Sequence, residues 1–183
     1  MTNKGYLLIL IGAVVTALSQ IGNFTYLALA GYLVVVVGLH CLPGSTKELR
    51  TATFFIFSVL IIWSLRFFLV LPNIIIEKPN AYSTNSFLII LQVFFSVGAF
   101  FWVLKAEYIR CPHPGKRTDL LIYSGAAFFQ LAIRTIFVIP WFNVKLYLFN
   151  MFFQMNEISR FINTFYHVVL IYIFAKLYIE TKQ

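Results

Sequence analysis

Acidic side chains are scarce in this 183-residue chain, with six Asp and Glu against fourteen Lys and Arg and only 11% charged residues in all. A soluble domain carries roughly 25% charged residues. With so few, this chain could not cover a water-facing surface. Cysteine is scarcer still. The two thiols, Cys41 and Cys111, are too few for a structural zinc site without histidine help. The topology derived below puts both at the cytoplasmic face, where thiols stay reduced and no structural disulfide is expected.

Known catalytic and transport signatures are missing as well. There is no Walker loop, no His-Glu-x-x-His, no Gly-x-Ser-x-Gly and no selectivity-filter sequence. No metal or cofactor is implied. His40-Cys41 and Cys111-Pro-His113 set a thiol near an imidazole, the pairing that a cysteine nucleophile needs, yet neither forms a family-specific motif. The apolar run after Lys4 leads straight into a second one without a small-residue cleavage site, so no cleavable signal peptide is expected.

What the chain does have is apolar length. It is 61% hydrophobic, with 21 Phe, 10 Tyr and a mean hydropathy of +0.86, a composition suited to facing lipid. The net charge of +8 does not point to nucleic acid. The basic residues sit in short segments between apolar runs, with no basic helix or stripe, and the positive-inside rule accounts for the excess without a partner.

About 20 apolar residues cross a bilayer core as a helix. The apolar runs predict a single all-α integral membrane domain over 1–183, with six transmembrane helices arranged as three hairpins. The expected spans are 5–21, 24–42, 51–71, 86–104, 120–139 and 157–178. The first is short and breaks at Gln20-Ile21-Gly22-Asn23, a turn-prone stretch. A continuous helix over 5–42 would be about 57 Å long, too long for one crossing. A tight hairpin is expected instead, either spanning or re-entrant, with both ends on one side.

That side carries Lys4, Lys47, Arg50, Lys105, Arg110, Lys116, Arg117, Lys176 and Lys182, whereas the other carries Lys78 and Lys145. The bias makes the first side cytoplasmic, with both termini there, in a plasma or inner membrane. Residues 141–156 mix Trp141, Tyr147 and several Phe with Asn143, Lys145, Asn150, Gln154 and Asn156. This predicts an interfacial helix on the outer surface, the alternative being a long, tilted sixth helix.

The chain also reads as an internal two-helix repeat, with helices 3–4 matching helices 5–6. Arg66-Phe-Phe-Leu-Val-Leu-Pro72 matches Arg134-Thr-Ile-Phe-Val-Ile-Pro140, offset by 134 − 66 = 68 positions. Lys105-Ala-Glu-Tyr-Ile resembles Lys176-Leu-Tyr-Ile. Cys41-Leu-Pro-Gly loosely resembles Cys111-Pro-His-Pro-Gly. A two-span repeat keeps its orientation, so its axis would lie along the membrane normal.

The remaining basic residues, Arg66, Arg134 and Arg160, fall inside predicted spans. An arginine costs about 2.5 kcal/mol or more at a helix centre and less near the interface. Arg66 and Arg134 lie at one depth below their prolines, about 9 Å along a helix. Snorkelling to outer headgroups would satisfy them; so would a shared interior site for an anion. Helical spacing puts Tyr123, Ala127, Gln130 and Arg134 on one face of helix 5, and Asn156, Arg160, Asn163 and His167 on one face of helix 6. Lipid penalises such faces, which should therefore point inward.

Glu157 and Thr164 flank the second stripe, and Glu157 can pair with Arg160 at i,i+3. Gln92 and Ser96 give helix 4 a weaker polar face. His167 either ties helices together by hydrogen bonding or serves as a proton relay or base. The candidate substrate-binding set is Arg66, Gln92, Gln130, Arg134, Glu157, Arg160, Asn163 and His167. It describes a basic cavity suited to phosphate or carboxylate, which guanidinium binds bidentately.

Three functions stay open. The first is a transporter or flippase that recognises an anionic small molecule or lipid headgroup. The second is a non-catalytic subunit that binds partner membrane subunits. The third is an intramembrane lipid-modifying enzyme using His167 and Glu157. An enzyme is the least expected of these, and membrane lipids are partners in all three.

Overall fold

The computed structural model describes the backbone of residues 2–21, 25–42, 44, 46–70, 81–138 and 152–181, and their side chains except at 2–3, 20–21, 25–26, 69–70, 81–86, 137–138 and 152–160. These residues form six helices and no strand. They are α1 (Thr2–Ile21), α2 (Thr25–His40), α3 (Lys47–Leu65), α4 (Ala81–Arg110), α5 (Pro114–Val138) and α6 (Phe152–Glu180). Three contain stretches long and apolar enough to cross a membrane, Lys47–Phe68, Phe87–Arg110 and Phe161–Glu180. α1 and α2 carry shorter apolar stretches, Lys4–Ser19 and Leu27–His40.

Local chemistry sets several boundaries. α2 gives way to a turn in which Gly44 takes φ +84°, a conformation that side chains with a Cβ resist. Thr46 then caps α3, its hydroxyl accepting from the Leu49 amide at 3.2 Å. α5 opens on Pro114, whose missing N–H costs nothing in a first turn, while His113 Nδ1 accepts from the Gly115 amide at 3.1 Å.

Two helices, α4 and α6, outrun their predicted spans at both ends. α4 and α6 have 30 and 29 residues, about 45 Å each. Lys105, Arg110, Lys116, Arg117 and Lys176, expected beside or just inside the span ends, sit within helices. The apolar run sets the part that suits lipid, whereas helical hydrogen bonding continues until a turn residue stops it. Part of the segment 141–156 is helical. Phe152–Asn156 belongs to the first turns of α6, and 141–151 lies outside the described residues.

Each helix packs on its neighbour in the chain, and α1 packs on α6, so the six close into a ring. Successive helices run antiparallel. Cross-contacts show this in α1/α2 (Gly5 with Gly38, Gly12 with Gly31), α3/α4 (Phe55 with Phe95, Arg66 with Gln92) and α5/α6 (Tyr123 with Tyr166, Asp119 with Lys176).

The α1/α2 hairpin is held by close backbone approach. A Cβ at Gly12 would stand 2.6 Å from the Gly31 carbonyl oxygen, and one at Gly38 would stand 2.9 Å from that of Gly5. Glycine at these positions lets the helices meet without intervening side chains, the usual means of packing where lipid removes the hydrophobic driving force.

The ring interior divides in two along its length. In the half nearer Lys47, Arg110, Lys116 and Lys176, all six helices contribute apolar side chains. Ile9, Val35, Val59, Val103, Ala126 and Phe174 are buried there in one continuous cluster. The other half is where the site lies.

Candidate anion-binding cavity

A recessed cavity of about 290 Å³ occupies that second half, and every helix contributes to its wall. Arg66 comes from the end of α3, Gln92 and Ser96 from α4, Gln130 and Arg134 from α5, and Asn163 and His167 from α6, with Ser19 and Tyr32 supplied by α1 and α2. Six sequence-predicted residues, Arg66, Gln92, Gln130, Arg134, Asn163 and His167, thus meet in one place. The side chains of the other two, Glu157 and Arg160, lie outside the described residues, as does their expected pairing.

The described residues of the two polar stripes turn inward. Tyr123, Ala127 and Gln130 are buried on α5, and Asn163 is buried on α6. The two helices are joined by Gln130 Nε2 donating to Asn163 Oδ1 at 2.6 Å. Because both amides are buried, each needs the other to avoid an unpaired polar atom. His167 does not use Nδ1 to tie helices together. That nitrogen bonds the Asn163 carbonyl of its own helix at 2.7 Å.

Arg66 sits where α3 changes pitch. Its amide is shared between the Ile62 and Trp63 carbonyls, and the chain continues from it as a π-helical turn, Arg66–Val70. Such wide turns reposition side chains and often occur at functional sites. The Arg66 guanidinium donates to Gln92 Oε1. Arg134, by contrast, stays on a regular α-helix. Its Nε is buried without a hydrogen-bond partner, and its guanidinium makes no hydrogen bond or ion pair among the described residues. The two guanidiniums are near enough to act electrostatically on one another, and Arg134 acts likewise on His167. No Asp or Glu lines the cavity among the described residues.

A hydroxyl network borders the cavity where it meets the apolar half. Tyr32 donates to Ser96 Oγ at 3.1 Å. Tyr123 donates to the Val97 carbonyl at 2.8 Å and lies 2.8 Å from the Tyr166 hydroxyl. With its one proton committed to the carbonyl, Tyr123 must accept from Tyr166. Sequence reasoning singled out Ser96 and Tyr123 but missed Tyr32 and Tyr166. A tyrosine in an apolar helix reads first as an interfacial aromatic, and only the ring of helices shows that these two face each other's neighbours inside.

The opposite end handles charge differently. Glu107, which is buried, accepts from Arg110 at 3.3 Å and lies 3.6 Å from Lys116 Nζ, and Asp119 binds Lys176 at 2.7 Å. The Glu107–Lys116 pair joins α4 to α5 and the Asp119–Lys176 pair joins α5 to α6, while Glu107–Arg110 lies within α4. Sequence reasoning missed both acids as structural groups, although their scarcity was a signal that could have marked them. Cys41 and Cys111 are exposed and free.

No family model, curated protein or solved structure matches the chain.

Proposed function

We propose that the chain is a six-span integral protein of a plasma or inner membrane, with both termini cytoplasmic. In this reading it recognises an anionic small molecule or lipid headgroup in an outward-facing basic cavity and acts as a transporter or flippase. The observation that carries it is the Arg134 guanidinium, which has no protein partner among the described residues yet lines a cavity with Arg66 and His167. A charge withdrawn from water is expensive unless paired. A bound oxyanion supplies the pairing, and guanidinium suits oxyanions through its planar fork of donors.

Three apolar helices of sufficient length and the closed ring support the six-span topology. Within it, α1, α2 and α5 cross beside the three longer apolar helices. The basic bias then puts Lys47, Arg110, Lys116 and Lys176 on the cytoplasmic side and the cavity in the outer half. The repeat belongs to the same reading. Arg66 and Arg134 each enter the cavity from the first helix of a hairpin, and the π-helical turn at Arg66, without a counterpart in α5, is where the two hairpins should superpose least well.

The test is anion binding by purified protein in nanodiscs of neutral lipid. Replacing Arg134 by Gln should abolish measurable binding of small oxyanions while leaving the fold intact, and Arg134→Lys should restore it partly, because an ammonium lacks the fork. Unchanged binding by Arg134→Gln would sink the proposal. The topology is checked separately with an impermeant thiol reagent on intact cells. Cys41 and Cys111, both exposed, should stay unlabelled until the membrane is opened.

A further inference from the structure

We infer that the cavity selects a phosphomonoester, an oxyanion that carries its own proton, and that His167 is the residue that selects it. This rests on the reading of the cavity as an anion site and names the anion. Two of the groups lining the cavity, opposite in kind, have polar atoms with no partner among the described residues. One is the Arg134 guanidinium, which can only donate. The other is His167 Nε2. The Nδ1 of this ring faces the Asn163 carbonyl at 2.7 Å. A carbonyl oxygen only accepts, so Nδ1 holds the proton, and in the neutral ring Nε2 keeps a lone pair. Nε2 makes no hydrogen bond among the described residues, and the ring lines the cavity. Arg134 acts electrostatically on the ring, and a second positive charge beside it would add repulsion, which favours the neutral imidazole.

The ligand must therefore bring acceptors for guanidinium and one donor for Nε2. Sulfate brings acceptors alone. A carboxylate does the same near neutral pH. A phosphodiester has the charge but no P–OH. A phosphomonoester, or inorganic phosphate, keeps a proton on part of its population near neutral pH and offers a tetrahedral set of acceptors with a single O–H donor. Size agrees. The cavity of about 290 Å³ holds on the order of ten waters at about 30 Å³ each, enough for a phosphate and a small polar group but not for acyl chains. The wall is also mainly polar, with Gln92, Ser96, Gln130, Asn163 and Tyr166 around the charged groups, the reverse of the apolar lining common in small-molecule pockets. Two sources share this chemistry, a soluble phosphomonoester and the headgroup of a lipid phosphomonoester.

The experiment compares inorganic phosphate, dimethyl phosphate and sulfate by calorimetry, near neutral pH, on the full chain in nanodiscs of neutral lipid. Dimethyl phosphate matches the monoanion charge without P–OH, and sulfate matches the dianion. Phosphate should bind at least about tenfold more tightly than either, because a site built to receive a hydroxyl leaves the Nε2 acceptor without its partner when the hydroxyl is absent. His167→Phe, which keeps a ring and removes the acceptor, should bring all three within about threefold. Comparable binding of all three by the unaltered protein overturns the inference and leaves the anion-site reading standing. If His167→Phe does not fold, that comparison on the unaltered protein still decides. Arg134→Gln is expected to lose binding of all three; no binding of any anion by the unaltered protein, in solution or as lipid, defeats the reading underneath. The source is read in a second arm. Nanodiscs containing phosphatidic acid should block phosphate binding if the ligand is a lipid headgroup, whereas phosphatidylglycerol at equal charge should not. Phosphate binding undisturbed by phosphatidic acid assigns the site to a soluble ligand.

Discussion

The two halves of the ring treat charge and space in opposite ways. Toward Lys47 and Lys176, side chains fill the interior, and the buried acids Glu107 and Asp119 are matched to Arg110, Lys116 and Lys176. Toward Arg66 and Arg134, the same six helices leave a cavity, and the Arg134 guanidinium has no partner among the described residues. A cation withdrawn from water costs stability unless it is paired, the cost that the proposed anion would offset. The packed half then serves as the clamp that keeps the open half in shape.

If that division of labour is right, stability effects should concentrate in the packed half and binding effects in the other. The largest stability loss should come from Phe174→Ala. Phe174 is fully buried and meets Phe100 edge-on, with ring centroids 5.7 Å apart. Truncation should cost about 2–3 kcal/mol, below the usual range for such a change, because a lipid-facing unfolded state lacks most of the transfer term and the void remains. Reversible unfolding in detergent measures this, and a loss under about 0.5 kcal/mol would show that packing there is not the clamp.

Next comes Gly38→Val. Its new Cβ would meet the Gly5 carbonyl and the Ile9 amide, each at 2.9 Å. Backbone atoms cannot step aside cheaply, so α1 and α2 should part at a cost of about 1–3 kcal/mol. A smaller effect is expected at the edge of the cavity. Gln130→Leu strands the Asn163 side-chain oxygen and should cost about 1 kcal/mol, most of it recovered when Asn163→Leu is added, since replacing both partners leaves nothing unpaired. Double-mutant analysis of unfolding tests that recovery.

No stability loss is expected of Arg134→Gln, which should leave the protein as stable as the parent or more so, because it removes a charge withdrawn from water, although it should remove anion binding. A large destabilisation by Arg134→Gln would collapse the distinction between the halves and favour a structural role for this side chain.

Part of the site was legible in the sequence because its signals are local. Gln130 and Arg134, or Asn163 and His167, share a helical face by spacing alone, and a polar face on an apolar helix has few places to go but inward. The partners were not legible. That Arg66 reaches Gln92, that Gln130 reaches Asn163, and that Tyr166 donates to Tyr123 all depend on which helices are neighbours and in what register. Nor was the π-helical turn at Arg66 visible, because Arg-Phe-Phe-Leu-Val is an ordinary helical stretch by propensity. The helix ends escaped for another reason. Hydropathy sees the apolar core of α4 and α6 and is blind to the charged turns by which they extend past it.

By itself, then, the sequence determined that the chain is helical, that its helices are apolar enough to suit lipid, that its basic residues favour one end, and which faces carry polar groups. Each of these follows from composition or from a period of a few residues. Only the tertiary structure decided that the six helices close into a ring with α1 against α6, that Gly5 and Gly12 meet Gly38 and Gly31, and that Arg66, Arg134 and His167 share one cavity. The reason is physical. Where surroundings and interior are equally apolar, hydropathy cannot tell one helix–helix contact from another. The arrangement is chosen by shape and by a few long-range hydrogen bonds, neither of which leaves a pattern in the order of residues along the chain.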